Sequence, residues 1–287
     1  MSKIHFASLF GVDYDSDLIL HWADHYLKHN LDSYTVWLHS ARNDYTLLEA
    51  CASLFNRKGF RVFVVNQPGN NAPVFKNGGL RTEYLSKFQC SLPYDDYLVV
   101  ADSDEFQDVS NYQWLFSDHE IIVGGLIDRY DTSLHDAQSD VSIEAQFPFE
   151  GSVETALLTA MPMRERSYFP RTDRRKVLGC RADIPVEFSG SHRVMEVPAG
   201  ARVAGDSISP YRDSTDDFNY KVRHYCWRRS IFERMYGKTY YNSLHMNLVR
   251  DFFKEPSESI WIEKKRVLDE SEQTLKGWEP CQSPVTA

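Results

Sequence analysis

The 287-residue chain has no apolar run approaching the roughly 18 residues that cross a bilayer. Its start, MSKIHFASLFGVD, lacks the long apolar stretch and small-residue cleavage site of a secretory signal. The expectation is a soluble, cytoplasmic protein. Cysteine is scarce: Cys51, Cys90, Cys180, Cys226 and Cys281 are odd in number, scattered, and form no CxxC pair. Neither a disulfide framework nor a thiolate zinc site is indicated. Positive charge is in deficit, with 32 Lys and Arg against 41 Asp and Glu. That balance argues against general nucleic-acid binding, which needs a cationic surface to neutralise phosphates. The glycines around Gly69, Gly78 and Gly79 lack the GxxxxGK[ST] spacing of a phosphate-binding P-loop, and no GxSxG elbow occurs.

Apolar residues make up 42% of the chain and aromatics 14%, enough to bury one large core or two small ones. The net charge of −9 conceals two basic islands. RERSYFPRTDRRK (164–176) carries six Arg or Lys against two acids, and KVRHYCWRRSIFERMYGK (221–238) carries six against one. Such islands suit a small polyanion, a nucleotide diphosphate or an acidic acceptor, although solvated surface charge explains them as well.

Short runs of β-branched and aromatic residues alternate with helical patterns over the first 106 residues. Strands are expected at 4–10, 34–39, 61–65 and 97–101. The first helix begins at Asp15 or Ser16, buries Leu18, Ile19, Trp22 and Tyr26, and stops at Asn30. Further helices are expected over 44–58, closed by Gly59, and over 80–90. Strands joined by helical crossovers are parallel, and ligands of such sheets lie at the strands' carboxyl ends. A further strand is expected at 121–127, and from 217 onward the pattern reads as helical. His21, His25 and His29 recur every four residues on the first helix, but no HExxH accompanies them, and core or surface histidines are the better reading.

The most informative string is YLVVADSDEFQDV, an apolar strand that runs directly into carboxylates. Alternate residues of an extended chain face the same way, which would aim Asp102 and Asp104 into one crevice about 6 to 7 Å apart. Two like charges so placed suit a divalent cation, Mg²⁺ or Mn²⁺, that also takes phosphate oxygens. The plainer reading is a solvated acidic turn.

The order of elements, with DSDEF at the end of a fourth strand, resembles the GT-A-type nucleotide-sugar glycosyltransferases, in particular the family-2-like bacterial enzymes with a DxDEF motif. The resemblance extends to LILHWADHYLKHNLDSYTVWLH, GGLIDRYD, AQFPFEGSVETALLTAMPMRERSYF, SGSHRV and VRHYCWRR, and so spans about residues 4–235. It implies an α/β fold with a Rossmann-type, mostly parallel central sheet flanked by helices. The implied domain covers 1–216, with a nucleotide-sugar half (1–106) and an acceptor half (107–216), followed by a helical C-terminal extension (217–287). It implies a nucleotide-diphosphate sugar as donor, a glycan or lipid-linked saccharide as acceptor, and a divalent cation as cofactor. Peripheral contact of the C-terminal helices with a membrane stays open beside packing on the core and dimerisation.

Carried over residue by residue, the resemblance makes Asp104 a metal ligand, Asp102 a ribose or metal contact, and His224 the late histidine that completes the site, with His192 as the other candidate on the donor. Arg81 and Asp44 are expected near the nucleotide, and Arg223, Arg228 and Arg229 would lend a positive field to the diphosphate. Arg81 is equally a surface helix charge, and for Asp44 a helix N-cap is the simpler explanation. An inverting transfer needs a general base, for which Asp128, at the end of IIVGGLI, is chosen over Glu150 and Glu187; a retaining enzyme would need none. Two other readings remain: a haloacid-dehalogenase-type phosphohydrolase, whose DxD normally follows the first strand, and a non-catalytic sugar- or nucleotide-binding module.

Overall fold

The computed structural model describes residues 2–40, 42–65, 78–131, 135–151, 153, 175–188, 193–194, 197–205 and 218–228. The chain divides into two compact units, Met1–Ser152 with Thr172–Thr239, and Val153–Arg171 with Tyr240–Ala287. All elements below belong to the first.

Strand β1 (Ile4–Gly11) is apolar at almost every position because both of its faces are covered. On one face Phe6 and Phe10 pack with Trp22, Tyr26 and Phe55; on the other Ala7 and Leu9 join Trp37, Leu85, Leu98 and Val100. After β1 the expected single helix is broken into α1 (Val12–Asp15), one 3₁₀ turn (Ser16–Leu18) and α2 (Ile19–Leu27). Its stop holds, since Asn30 adopts a φ of 50° just beyond the helix. Strand β2 (Ser33–His39) leads to α3 (Tyr45–Arg57), whose N-cap is Asp44, its carboxylate accepting from Leu47 N at 2.9 Å. Gly59, at φ 90°, ends the helix and turns the chain into β3 (Arg61–Val64). Helix α4 (Gly78–Ser91) then leads to β4 (Tyr97–Val100).

The next elements are β5 (Glu105–Gln107), α5 (Tyr112–Asp118), β6 (Ile121–Tyr130), α6 (Ile143–Gln146), β7 (Phe149–Gly151), β8 (Arg175–Arg181), β9 (Val186–Glu187), β10 (Arg193–Val194), β11 (Val203–Gly205) and β12 (Lys221–Trp227). Among the described residues, ten strands form one sheet, eight of them on the path β3-β2-β1-β4-β8-β6-β12-β5 with β7 and β11 each also paired to β6, and β9 pairs with β10 separately. Strands β3, β2, β1 and β4 are mutually parallel. β8 runs antiparallel between β4 and β6, so those two point the same way, and β12 is parallel to β6. The carboxyl ends of β1, β2, β4, β6 and β12 therefore share one edge of the sheet. This is an α/β protein with a mostly parallel central sheet flanked by helices, compatible with a Rossmann-like GT-A fold.

One expectation is corrected. The segment from 217, read as helical, is a strand over Lys221–Trp227 and lies inside the central sheet. Its Lys and Arg residues suggested a solvated helix, but Val222, Tyr225 and Trp227 are buried between neighbouring strands, and that packing overrides local preference. The helices and tail expected beyond Arg228 lie outside the described residues. No described helix is long and apolar enough to cross a membrane.

Candidate functional site

Past Val100 the chain turns over Ser103 and Asp104 and returns as β5, antiparallel to β12. The apolar face of α2 carries polar tips that hold this turn by its backbone. Trp22 Nε1 donates to the Asp102 carbonyl at 3.0 Å, Tyr26 Oη to the Glu105 carbonyl at 2.9 Å, and His25 Nε2 to the Gln107 carbonyl at 2.9 Å. Residues 22, 25 and 26 share one side of a helix, so the amphipathic pattern that builds the core also fixes the acidic turn. From the other side Tyr225 N donates to the Asp104 carbonyl at 2.7 Å.

The side chains of the turn are sorted between two partners. Asp104, buried, lies 3.4 Å from His224 Nε2, and the opposite ring nitrogen, Nδ1, is 2.8 Å from Asp128 Oδ1. The β12–β6 register sets His224 directly against Asp128, which is why residues 96 apart in sequence meet. Burial alone would lower the basicity of His224, but Cys226, Asp104 and Asp128 outweigh it and raise its pKa well above the usual value. The ring thus lies between two carboxylates, one on each nitrogen.

Asp104, His224 and Cys226 bring donor atoms within 4.8 Å of one another. Cys226 Sγ sits 3.4 Å from Nδ1, the nitrogen already bonded to Asp128, and burial pushes its thiol up to about 11. A carboxylate oxygen and an imidazole nitrogen, with a second carboxylate on the ring's far side, are a donor set that fits a divalent cation at Asp104 and Nε2. The protonated thiol on the Nδ1 side does not add to it for a hard ion.

Asp102 does not share that environment. Its Oδ2 is 2.9 Å from Lys176 Nζ, which also donates to Glu105 Oε1. Burial pushes the Glu105 carboxyl above its usual range, against the pull of Lys176 and with added repulsion from Asp102 and Asp104. The alternation that would aim Asp102 and Asp104 one way is lost because the chain turns there instead of continuing as a strand.

The other expected residues divide as follows. Asp44 caps α3, and its own N–H donates to Ser40 Oγ at 2.9 Å. Arg81 lies on α4, its side chain outside the described residues, as are His192 and Arg229. The positive field expected around His224 is already matched by acids. Arg223 pairs with Asp108 at 2.9 Å and Glu144 at 3.2 Å, and the fully buried Arg228 pairs with Asp15 at 2.6 Å and with Asp17. Of the rival bases, Glu150 is paired with Lys221 and Arg129, which hold its carboxyl below the usual range, and Glu187 lies on the separate β9–β10 pair. His21 and His25 donate to the carbonyls of Gln138 and Gln107, and His29 packs on Tyr112, so the three histidines do not converge on an ion.

Sequence reasoning missed Lys176, Cys226 and the bond from Ser103 Oγ to Asp15 Oδ2 at 2.5 Å. Lys176 had a signal, being the last residue of the first basic island, but nothing local points to its partner.

No family model and no curated protein matches the chain. Among solved structures it is similar to S. aureus TarS 1-349, with a TM-score of 0.34 and 8% identity, over 96% of this chain and 75% of that one. A likeness so loose decides nothing about function.

Proposed function

We propose that the chain is a GT-A-type glycosyltransferase that moves a sugar from a nucleotide-diphosphate donor to a hydroxyl of a glycan or lipid-linked saccharide. The observation that carries this reading is the meeting of Asp104, just past the end of β4, with Asp128, near the end of β6, and His224, in the middle of β12. Ligands of open α/β sheets bind at the carboxyl ends of the strands. Asp104 and His224 Nε2 would hold a divalent cation, Mn²⁺ or Mg²⁺, which when bound neutralises the diphosphate leaving group.

The chain's own residues supply the rest. The acidic turn, gripped by Trp22, Tyr26 and Tyr225, presents Asp104 without reorganisation, and pre-positioned charge is the main source of such catalysis. Asp128 orients the His224 ring and is the proposed base, taking the proton of the acceptor hydroxyl in an inverting transfer. Asp44, Arg81 and His192 are proposed donor contacts within a nucleotide-sugar half over 1–106 and an acceptor half from 107, while Asp102, tied to Lys176, supports the turn from its inner side. A cytoplasmic location belongs to the same reading.

The test is a thermal-denaturation panel of Mn²⁺ or Mg²⁺ with each nucleoside diphosphate. A ligand at a hundred times its Kd stabilises by about 2.7 kcal/mol, so one nucleotide should raise the melting temperature only when metal is present. No shift with any nucleotide defeats the proposal. Turnover of an aryl phosphate that Asp102→Asn abolishes would favour the phosphohydrolase instead.

A further inference from the structure

Lys176 was read from sequence as one charge of a surface island, yet its side chain is 3% exposed. Strand β8 runs antiparallel to β4 with Tyr97 opposite Arg181 and Val99 opposite Gly179. Further along β8, past its last pair with β4, Lys176 reaches the turn that follows β4. There its ammonium donates to Asp102 Oδ2 at 2.9 Å and to Glu105 Oε1. Glu105 Oε2 in turn accepts from Asp102 N at 3.2 Å, and Glu105 N donates to the Asp102 carbonyl at 3.2 Å. One lysine thus closes both ends of the four-residue turn on itself.

A buried ammonium is tolerated only where carboxylates match it, and two carboxylates this close are tolerated only where a cation lies between them. The three acids of the turn are therefore divided, with Asp102 and Glu105 facing Lys176 and Asp104 facing His224. We propose that Lys176 is a positioning residue: it pins Asp102 and Glu105 on the inner side of the turn and so leaves Asp104 as the carboxylate presented toward His224 and the donor. The part concerning the donor rests on the glycosyltransferase reading.

Lys176→Met alone strands the buried Glu105 and the half-buried Asp102 and risks unfolding. The informative variant is the double change Lys176→Met with Glu105→Gln, which leaves the cluster's net charge at −1, as in the native protein, but removes the tether. Two measurements are made on the full chain: hydrogen exchange of the amides of residues 102–107, and the affinity for a nucleoside diphosphate with Mn²⁺. We expect exchange in the turn to accelerate tenfold or more while the amides of β1 and β2 keep their protection, and Mn²⁺-dependent affinity to fall at least tenfold. Unchanged exchange in the turn overturns the proposal. Accelerated exchange with native affinity reduces Lys176 to a stabilising ion pair and overturns its role toward the donor. A native protein that binds no nucleotide refutes the glycosyltransferase reading separately, and the exchange result still decides whether Lys176 holds the turn.

Discussion

His224 lies directly across the β12–β6 ladder from Asp128, with Nδ1 and Oδ1 2.8 Å apart, and this pairing leaves Nε2 as the nitrogen turned toward Asp104. A carboxylate that fixes one imidazole nitrogen decides what the other can do. Asp128→Asn retains an acceptor for the ring but removes the charge and the proposed base. Transfer should fall by about 10² or more, the usual range for loss of a general base, while the affinity for donor nucleotide with metal stays within about threefold. Steady-state transfer assays beside nucleotide titrations measure both, and full activity would remove Asp128 from the chemistry.

Asp104→Ala should abolish the Mn²⁺-dependent part of nucleotide stabilisation and leave the far-ultraviolet circular dichroism unchanged. The backbone of residue 104 is held independently, through its carbonyl, by Tyr225 N at 2.7 Å. A metal-dependent shift that survives the substitution would mean that the ion binds elsewhere.

Acid should weaken the fold through His25. Burial pushes its pKa from 6.5 down to about 4, beyond what the bond to the Gln107 carbonyl restores. Because the folded value lies below the unfolded one, the unfolded chain takes up more protons between pH 6.5 and 4. The contribution is complete above pH 6.5 and is lost as the pH falls, by about 2 kcal/mol between pH 6.5 and 5. Urea unfolding at the two pH values checks this, and His25→Gln, which can still donate to that carbonyl, should flatten the dependence. Equal pH dependence in both proteins would contradict the assignment.

Arg228 is fully buried and joins the end of β12 to Asp15 and Asp17 in the segment that follows β1. Asp15 also accepts from Ser103 of the acidic turn. Arg228→Met leaves two carboxylates without their cation, a loss of about 3 to 5 kcal/mol for buried pairs of this kind. Chemical denaturation would show it, and a loss below about 1 kcal/mol would mean that the cluster is far better solvated than its burial indicates.

What the sequence by itself determined is local. The strands from β1 to β4, the cap at Asp44, the stop at Asn30 and the acids at the end of β4 follow from apolar periodicity, capping and turn chemistry, all of which act within a few residues. The choice of Asp104 and Asp128 rested on their places at expected strand ends, and that of His224 on the resemblance of VRHYCWRR to a late histidine motif. Tertiary structure alone decided their partners. Whether KVRHYCW became helix or strand depended on the open edge of β6, because pairing and burial outweigh propensities of a few tenths of a kcal/mol. Lys176 meets Asp102 across 74 residues, and Arg228 meets Asp15 across 213. No local pattern encodes such a meeting, since a charge carries no mark of its partner until the sheet register brings the two together.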